Sequence, residues 1–171
     1  MSGIKDYFMS TCIKLIEPQD NNALYEIIVS VFKEFSAETM GVSLNDPEMK
    51  DIYRAYNSKG SNYWVVEQES GKVLGGGGYM KLQEASENEN ICEIQKFFLV
   101  PEARGKGFGT KIMELIMESA AKDGYQEIYL EILDSMKDAT KLYKKFGFNY
   151  LDNRKGNTGH FSCKIFMGRR L

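Results

Sequence analysis

The sequence is poor in the residues that build disulfides and metal sites: its 171 residues include three cysteines and one histidine. Cys12, Cys92 and Cys163 are widely spaced and odd in number, which argues against a disulfide framework and for reduced thiols in a cytoplasmic compartment. With His160 alone and no close cysteine pair, the ligand set of a structural zinc is missing, and no metal is expected. Excess charge of one sign is lacking too. Lys and Arg number 22 against 24 Asp and Glu, a formal net charge of -2, so nothing draws the chain as a whole to nucleic acid or to an anionic membrane. No apolar run reaches membrane-spanning length, and MSGIKDYFMS has no signal-peptide core. A soluble, cytoplasmic chain without either kind of partner is expected. Its apolar fraction, 43%, suffices for one packed domain over residues 1–171, and the length is too short for two ordinary ones.

Apolar periodicity gives the elements. CIKLI (Cys12 to Ile16) suits a short strand, and Leu24, Ile27, Ile28, Val31, Phe32 and Phe35 form one stripe of a helix from Ala23 to Phe35. SLNDPEMKDIYRAY suits a second helix, with Asp46 as cap and Pro47 at the first helical position. NYWVVEQESGKVLGGGGYMKL reads as a hairpin turning at Ser70 and Gly71. Its glycine run, Gly75 to Gly78, marks a bulge or a close approach by backbone or ligand. EASENEN (Glu84 to Asn90) is a polar loop. A helix from Gly107 to Lys122 follows, then a strand EIYLEIL (Glu127 to Leu133), a short helix in DSMKDATKLYKKFGF, and strands in FNYLDN and HFSCKIFM. The order β-α-α-β-β-β-α-β-α-β-β is that of a mixed α/β or α+β sheet domain.

ICEIQKFFLVPEARGKGFGTKIMELI (Ile91 to Ile116) runs from an apolar strand through alternate glycines into a helix. Glycines permit a tight turn and close approach to bare amides, and the free N–H groups of a helix start favour an anion. Arg104 and Lys106 add cationic donors, so the turn reads as a phosphate cradle or as a solvent-facing turn with ordinary surface charges. Spacing excludes two nucleotide motifs. Neither GK pair, Gly71-Lys72 nor Gly105-Lys106, is followed by Ser or Thr as a P-loop requires, and glycines at 105, 107 and 109 do not fit GxGxxG.

The stretch resembles the GCN5-related N-acetyltransferase superfamily. Arg104, Gly107 and Gly109 match its [QR]xxGx[GA] signature after an LxVxP-like strand end, FLVPEA, and ATKLYKKFGF is similar to its AxxLYxKxGF signature. The likeness spans about Ile91 to Tyr150. It implies the acyl-CoA N-acyltransferase fold: a mixed, mostly antiparallel sheet flanked by helices, whose two central strands, those of ICEIQKFFL and EIYLEIL, splay apart around acetyl-CoA. By the resemblance, backbone amides from Arg104 through Gly105, Lys106, Gly107, Phe108 and Gly109, with Thr110 following, hold the pyrophosphate. The Leu99 and Val100 backbone lies along the pantetheine arm. Asp134 is a further contact, though the family often has asparagine there, and Lys145 approaches the phosphate end unless it is simply solvated.

The implied chemistry is acetyl transfer to a primary amine by direct attack in a ternary complex, with a small molecule as acceptor. A peptide or protein acceptor, or a non-catalytic acyl-CoA-binding protein, are the alternatives. Glu93, eleven residues before Arg104, matches the family's base, and Tyr143 the acid that serves the leaving thiolate. Their bland readings are a strand carboxylate and a core aromatic. Strand alternation groups Glu93 with Gln95, Phe97 and Leu99 unless a bulge intervenes. Glu131 would bind a cationic acceptor or face solvent. His160 suits a structural or substrate-lining role, and Cys92 is a small buried hydrophobe. Exposed strand edges in the C-terminal region would also permit a homodimer.

Overall fold

A computed structural model describes residues 10–37, 41–85 and 89–171. The expected polar loop at Glu84 to Asn90 therefore lies partly outside the described residues. The elements are β1 (Thr11–Leu15), α1 (Asn21–Glu34), α2 (Ile52–Tyr56), β2 (Asn62–Gln68), β3 (Val73–Lys81), β4 (Ile91–Leu99), α3 (Phe108–Lys122), β5 (Glu127–Ile132), α4 (Thr140–Lys145), β6 (Asn149–Leu151) and β7 (Ile165–Arg170). This is the order expected from periodicity. Among the described residues the strands form one sheet in the order β1-β2-β3-β4-β5-β7-β6, in which β4 and β5 are parallel and the other neighbours antiparallel.

Helices cover both faces of the sheet because each carries one apolar stripe that must leave water. On one face, Ile112, Met113, Ile116 and Ala120 of α3 pack on Cys92, Ile94, Ile128, Leu130 and Ile132. On the other, Leu24, Ile28 and Phe32 of α1 pack with Ile52 and Tyr56 of α2 on Tyr63 and Val65. Each buried Leu, Ile, Val, Met or Phe side chain among these contributes about 1.5–3 kcal/mol by leaving water.

Two elements differ from expectation. The second helix is broken into a 3-10 segment, Pro47–Lys50, and α2, separated by Asp51. The Asp46 side chain does not cap it. Asp51 caps α2 by accepting from the Arg54 amide, while the Asp46 carboxylate is drawn to two cations, Lys96 and His160. The late strands are shorter than their apolar segments. His160 to Cys163 forms a turn closed by a bond from the Cys163 amide to the His160 carbonyl, and only Ile165 onward joins the sheet.

A bulge in β4 decides what its side chains face. Gly76 pairs with Phe98 but Gly78 pairs with Gln95, so Lys96 and Phe97 together oppose Gly77. Lys96 has φ 50°, and the Tyr63 hydroxyl, donating to its carbonyl at 2.7 Å, holds it there. Parity reverses at this point. Phe97 and Leu99 join Cys92 and Ile94 on the α3 side, whereas Phe98 packs on the α1 side with its ring 5.3 Å from that of Phe32. The bulge that the expected alternation allowed for thus intervenes, and it separates Glu93 and Gln95 from Phe97 and Leu99.

The glycine run in β3 is both a bulge and a close approach. A Cβ on Gly76 would strike the Trp64 carbonyl oxygen, and one on Gly77 the Phe97 ring. What comes close to the glycines is thus the protein's own backbone and aromatic rings.

Candidate active site

β4 leaves β5 after Glu93, before the bulge is reached. The two strands pair only over Ile91 to Glu93 and Glu127 to Tyr129, although β4 continues to Leu99 and β5 to Ile132. Their divergence opens a cavity of about 470 Å³, lined by residues of both strands together with Phe32, Arg104, Met136, Tyr143 and His160 among others.

Arg104 carries the lining to the start of the glycine turn. Gly105 and Gly107 have φ 71° and 87°, in the left-handed region where glycine is favoured, and open space surrounds the position of a Cβ on either. Gly107 caps α3 without any side-chain hydrogen bond. The amides from Gly105 to Thr110 have no acceptor among the described residues, and the helical ladder begins only with Lys111 donating to the Gly107 carbonyl. A row of bare N–H groups at the positive end of a long helix is a site for a phosphate or pyrophosphate. The residues therefore fit the diphosphate of coenzyme A.

Arg104, assigned to this cradle, and Val100, assigned to the pantetheine arm, are occupied elsewhere. The Arg104 amide donates to the Pro101 carbonyl. Its guanidinium holds Glu34 through two bonds of 2.6 and 2.7 Å and the Leu99 carbonyl at 2.9 Å. Arg104 thus braces the end of α1 against the turn, and both expected donor roles are corrected. Val100 donates its amide to the Leu74 carbonyl and accepts from the Ala103 amide, so its backbone offers nothing to a pantetheine amide. Alternation turns the Leu99 amide the other way, into the gap that β5 has left. Asp134 and Lys145 are exposed and do not line the cavity, whereas Asp138 does. Lys106, exposed beside the bare amides, is the cation positioned at the turn.

Tyr143 stands across the gap on α4. It is buried, with its ring 6.3 Å from Phe97 and 5.8 Å from Phe148. Its hydroxyl has no hydrogen bond among the described residues, and the residue belongs to the cavity wall. Burial raises its pKa, so the phenol keeps its proton at neutral pH and can donate it.

Glu93 lies on the α1 face at the fork of the two strands, 2% exposed. Gln95 Nε2 donates to its Oε2 at 2.5 Å, and Tyr56 donates in turn to Gln95 Oε1 at 2.8 Å. His160 Nδ1 is 3.6 Å from Glu93 Oε1, while His160 Nε2 is 2.9 Å from Asp46 Oδ1. Lys96, its side chain wholly buried, donates to Asp46 Oδ2 at 2.7 Å. Burial works against charge on His160, but Asp46 and Glu93 outweigh it and raise the pKa to about 9. The same pairing holds the Asp46 pKa down against burial.

His160 was expected to be structural or substrate-lining, and it does line the cavity while joining two carboxylates. Asp46, Gln95 and Lys96 were not foreseen as site residues. The available signal was the pair Gln95-Lys96 close after Glu93 in a strand whose other residues are apolar, because a lysine is rarely buried without a partner.

A parallel pair opened into a cleft within an otherwise antiparallel sheet, with helices on both faces, is the fold of the acyl-CoA N-acyltransferases. The chain belongs to the Acetyltransferase (GNAT) family, whose model matches residues 22–148. It is 37% identical over 163 residues to YjgM, an uncharacterized N-acetyltransferase of Escherichia coli (strain K12), covering 95% of this chain and 96% of that one. In structure it is similar to a GNAT-family acetyltransferase of Staphylococcus aureus Mu50, with TM-score 0.77 and 19% identity over 94% of this chain and 99% of that one. It is also similar to a phosphinothricin acetyltransferase of Sinorhizobium meliloti solved in complex with AcCoA, with TM-score 0.71 and 20% identity over 95% and 89% of the two chains.

Proposed function

We propose that the protein is an acetyl-CoA-dependent N-acetyltransferase acting on a small primary amine by direct attack in a ternary complex. The observation that carries the reading is a cleft walled by Leu99, Arg104 and Tyr143, whose hydroxyl has no hydrogen bond among the described residues, together with the bare amides from Gly105 to Thr110 that follow Arg104 in the chain. A tyrosine hydroxyl with no protein partner in a mostly buried residue is free to bond a polar group of a ligand. The thioester sulfur of acetyl-CoA is such a group.

In this mechanism Gly105 to Thr110 hold the diphosphate and β4 orients the arm of the donor. Glu93 takes a proton from the acceptor ammonium, directly or through one water. The freed nitrogen forms the C–N bond as the C–S bond breaks; Tyr143 donates a proton to the departing sulfur and regains one, directly or through water, from the nitrogen, which sheds its second proton on becoming an amide. Gln95 and His160 hold the Glu93 carboxylate from its two oxygens.

A small acceptor is favoured by the closure above the cleft. The Ser162 amide donates to the Gly41 carbonyl at 3.1 Å, and the Phe161 ring lies against Gly41, so the segments carrying His160 and Ser43 meet across the cavity. The cytoplasmic location, and the absence of nucleic-acid or membrane partners, belong to the same proposal and rest on the charge balance and cysteine content.

Free thiol release from acetyl-CoA, measured across amines, amino acids, polyamines and peptides, tests the reaction. Tyr143→Phe is expected to lower kcat by roughly a hundredfold while coenzyme A binding, followed by calorimetry, stays within twofold. An unchanged kcat would remove Tyr143 as the acid. Coenzyme A binding by the wild type without turnover of any acceptor would leave a binding protein in place of an enzyme.

A further inference from the structure

Glu131 follows Tyr129 by two residues on β5 and so shares its face, and Tyr129 is the register partner of Glu93. Both carboxylates consequently project toward the α1 side of the fork. Glu131 Oε1 accepts from the Tyr129 hydroxyl at 2.8 Å and from Thr158 Oγ1 at 3.1 Å. Oε2 is different. Arg154 Nη2 is 3.3 Å away, yet that nitrogen donates to the carbonyls of His160 and Cys163 at 2.7 and 3.0 Å. Among the described residues Oε2 is the buried side-chain polar atom with no hydrogen bond. The Glu131 side chain is 1% exposed and lines the cavity.

Leaving a buried acceptor unpaired costs about 1–3 kcal/mol, and the neighbouring carboxylates avoid it: Glu93 receives Gln95, and Asp46 receives Lys96 and interacts with His160. The cations of the lining are already engaged, Lys96 and His160 with Asp46 and Arg104 with Glu34. A carboxylate on an incoming molecule would therefore find no uncommitted cation among the described lining residues. The remaining wall on the α1 side is apolar, with Phe32, Phe98, Leu133 and Cys163.

We infer that Glu131 Oε2 receives an N–H of the acceptor's ammonium group, and that the acceptors are alkylamines without a carboxylate beside the reacting nitrogen. The inference rests on the acetyltransferase reading and gives its acceptor a chemical class. Glu131 holds the ammonium, the apolar wall receives the alkyl stem, and Glu93 removes the proton. A cation beside Oε2 also counters the burial that raises the Glu131 pKa.

Butylamine and glycine serve as probe acceptors, in turnover by thiol release and in equilibrium binding of butylammonium by ligand-observed NMR on the coenzyme A complex. Wild type is expected to use butylamine over glycine by about tenfold or more in kcat/KM. Glu131→Gln is expected to raise the butylamine KM roughly tenfold or more and to abolish the butylammonium NMR signal, with coenzyme A affinity unchanged. Should the glutamine variant fail to fold by circular dichroism, Glu131→Asp, which retains the charge but withdraws the oxygen, is expected to show the same losses. Retained butylammonium binding in the variant, or preference for glycine, overturns the inference, and the first result means that water alone satisfies Oε2. Binding through Glu131 without turnover by wild type would instead overturn the acetyltransferase reading and leave the site standing.

Discussion

His160 illustrates how a residue of no apparent motif becomes electrostatically central. Its imidazole lies between Asp46 and Glu93, and their combined pull overcomes burial to raise its pKa to about 9. Because the folded value exceeds the ordinary 6.5, the stabilisation is fully present below pH 6.5 and is lost as pH rises through about 9. Wild-type melting temperature is therefore expected to fall by roughly 5 °C between pH 7 and pH 10 from this source. In His160→Asn that component of the slope should be absent, which a series of thermal melts across pH checks. A slope identical in both proteins would show that the pair of carboxylates does not hold a charged imidazole.

At the scale of elements, the device that makes the cleft is the irregularity shared by β3 and β4. Lys96 and Phe97 opposite Gly77 turn the end of β4 away from β5, and the glycines of β3 let the strands stay close while this happens. Adding one methyl tests their role. Gly76→Ala would press a Cβ on the Trp64 carbonyl, backbone that cannot rotate aside, and is expected to destabilise by about 1–3 kcal/mol, read as a lowered denaturant midpoint. An unchanged midpoint would mean that the strands can separate without loss. Element order, the α1 and α3 stripes and the turn before α3 were all legible in the sequence, because each is a local pattern of period or spacing. The split second helix was not, since Asp46 suits a cap by its type and position. Its carboxylate is instead held by Lys96 and His160, which lie far along the chain.

For the whole molecule, the open fork makes stability depend on what fills it. A ligand that binds only the folded chain adds about 2.7 kcal/mol at a hundredfold excess over Kd. Coenzyme A at that ratio should therefore raise the melting temperature of this chain by roughly 5–10 °C, by differential scanning calorimetry; no shift at any concentration would refute the cradle at Gly105 to Thr110. By itself the sequence determined the elements, the family signatures and the two residues, Tyr143 and Glu93, that face one cavity, since periodicity, glycine spacing and short motifs act over a few residues. The tertiary structure alone decided that Arg104 braces Glu34, that the Val100 backbone is occupied, that β4 changes parity at Lys96, and that Asp46, His160 and Glu131 gather around Glu93. Those outcomes depend on contacts between segments far apart in the chain, where burial makes each charge and hydrogen-bonding group seek whichever partner the fold brings near.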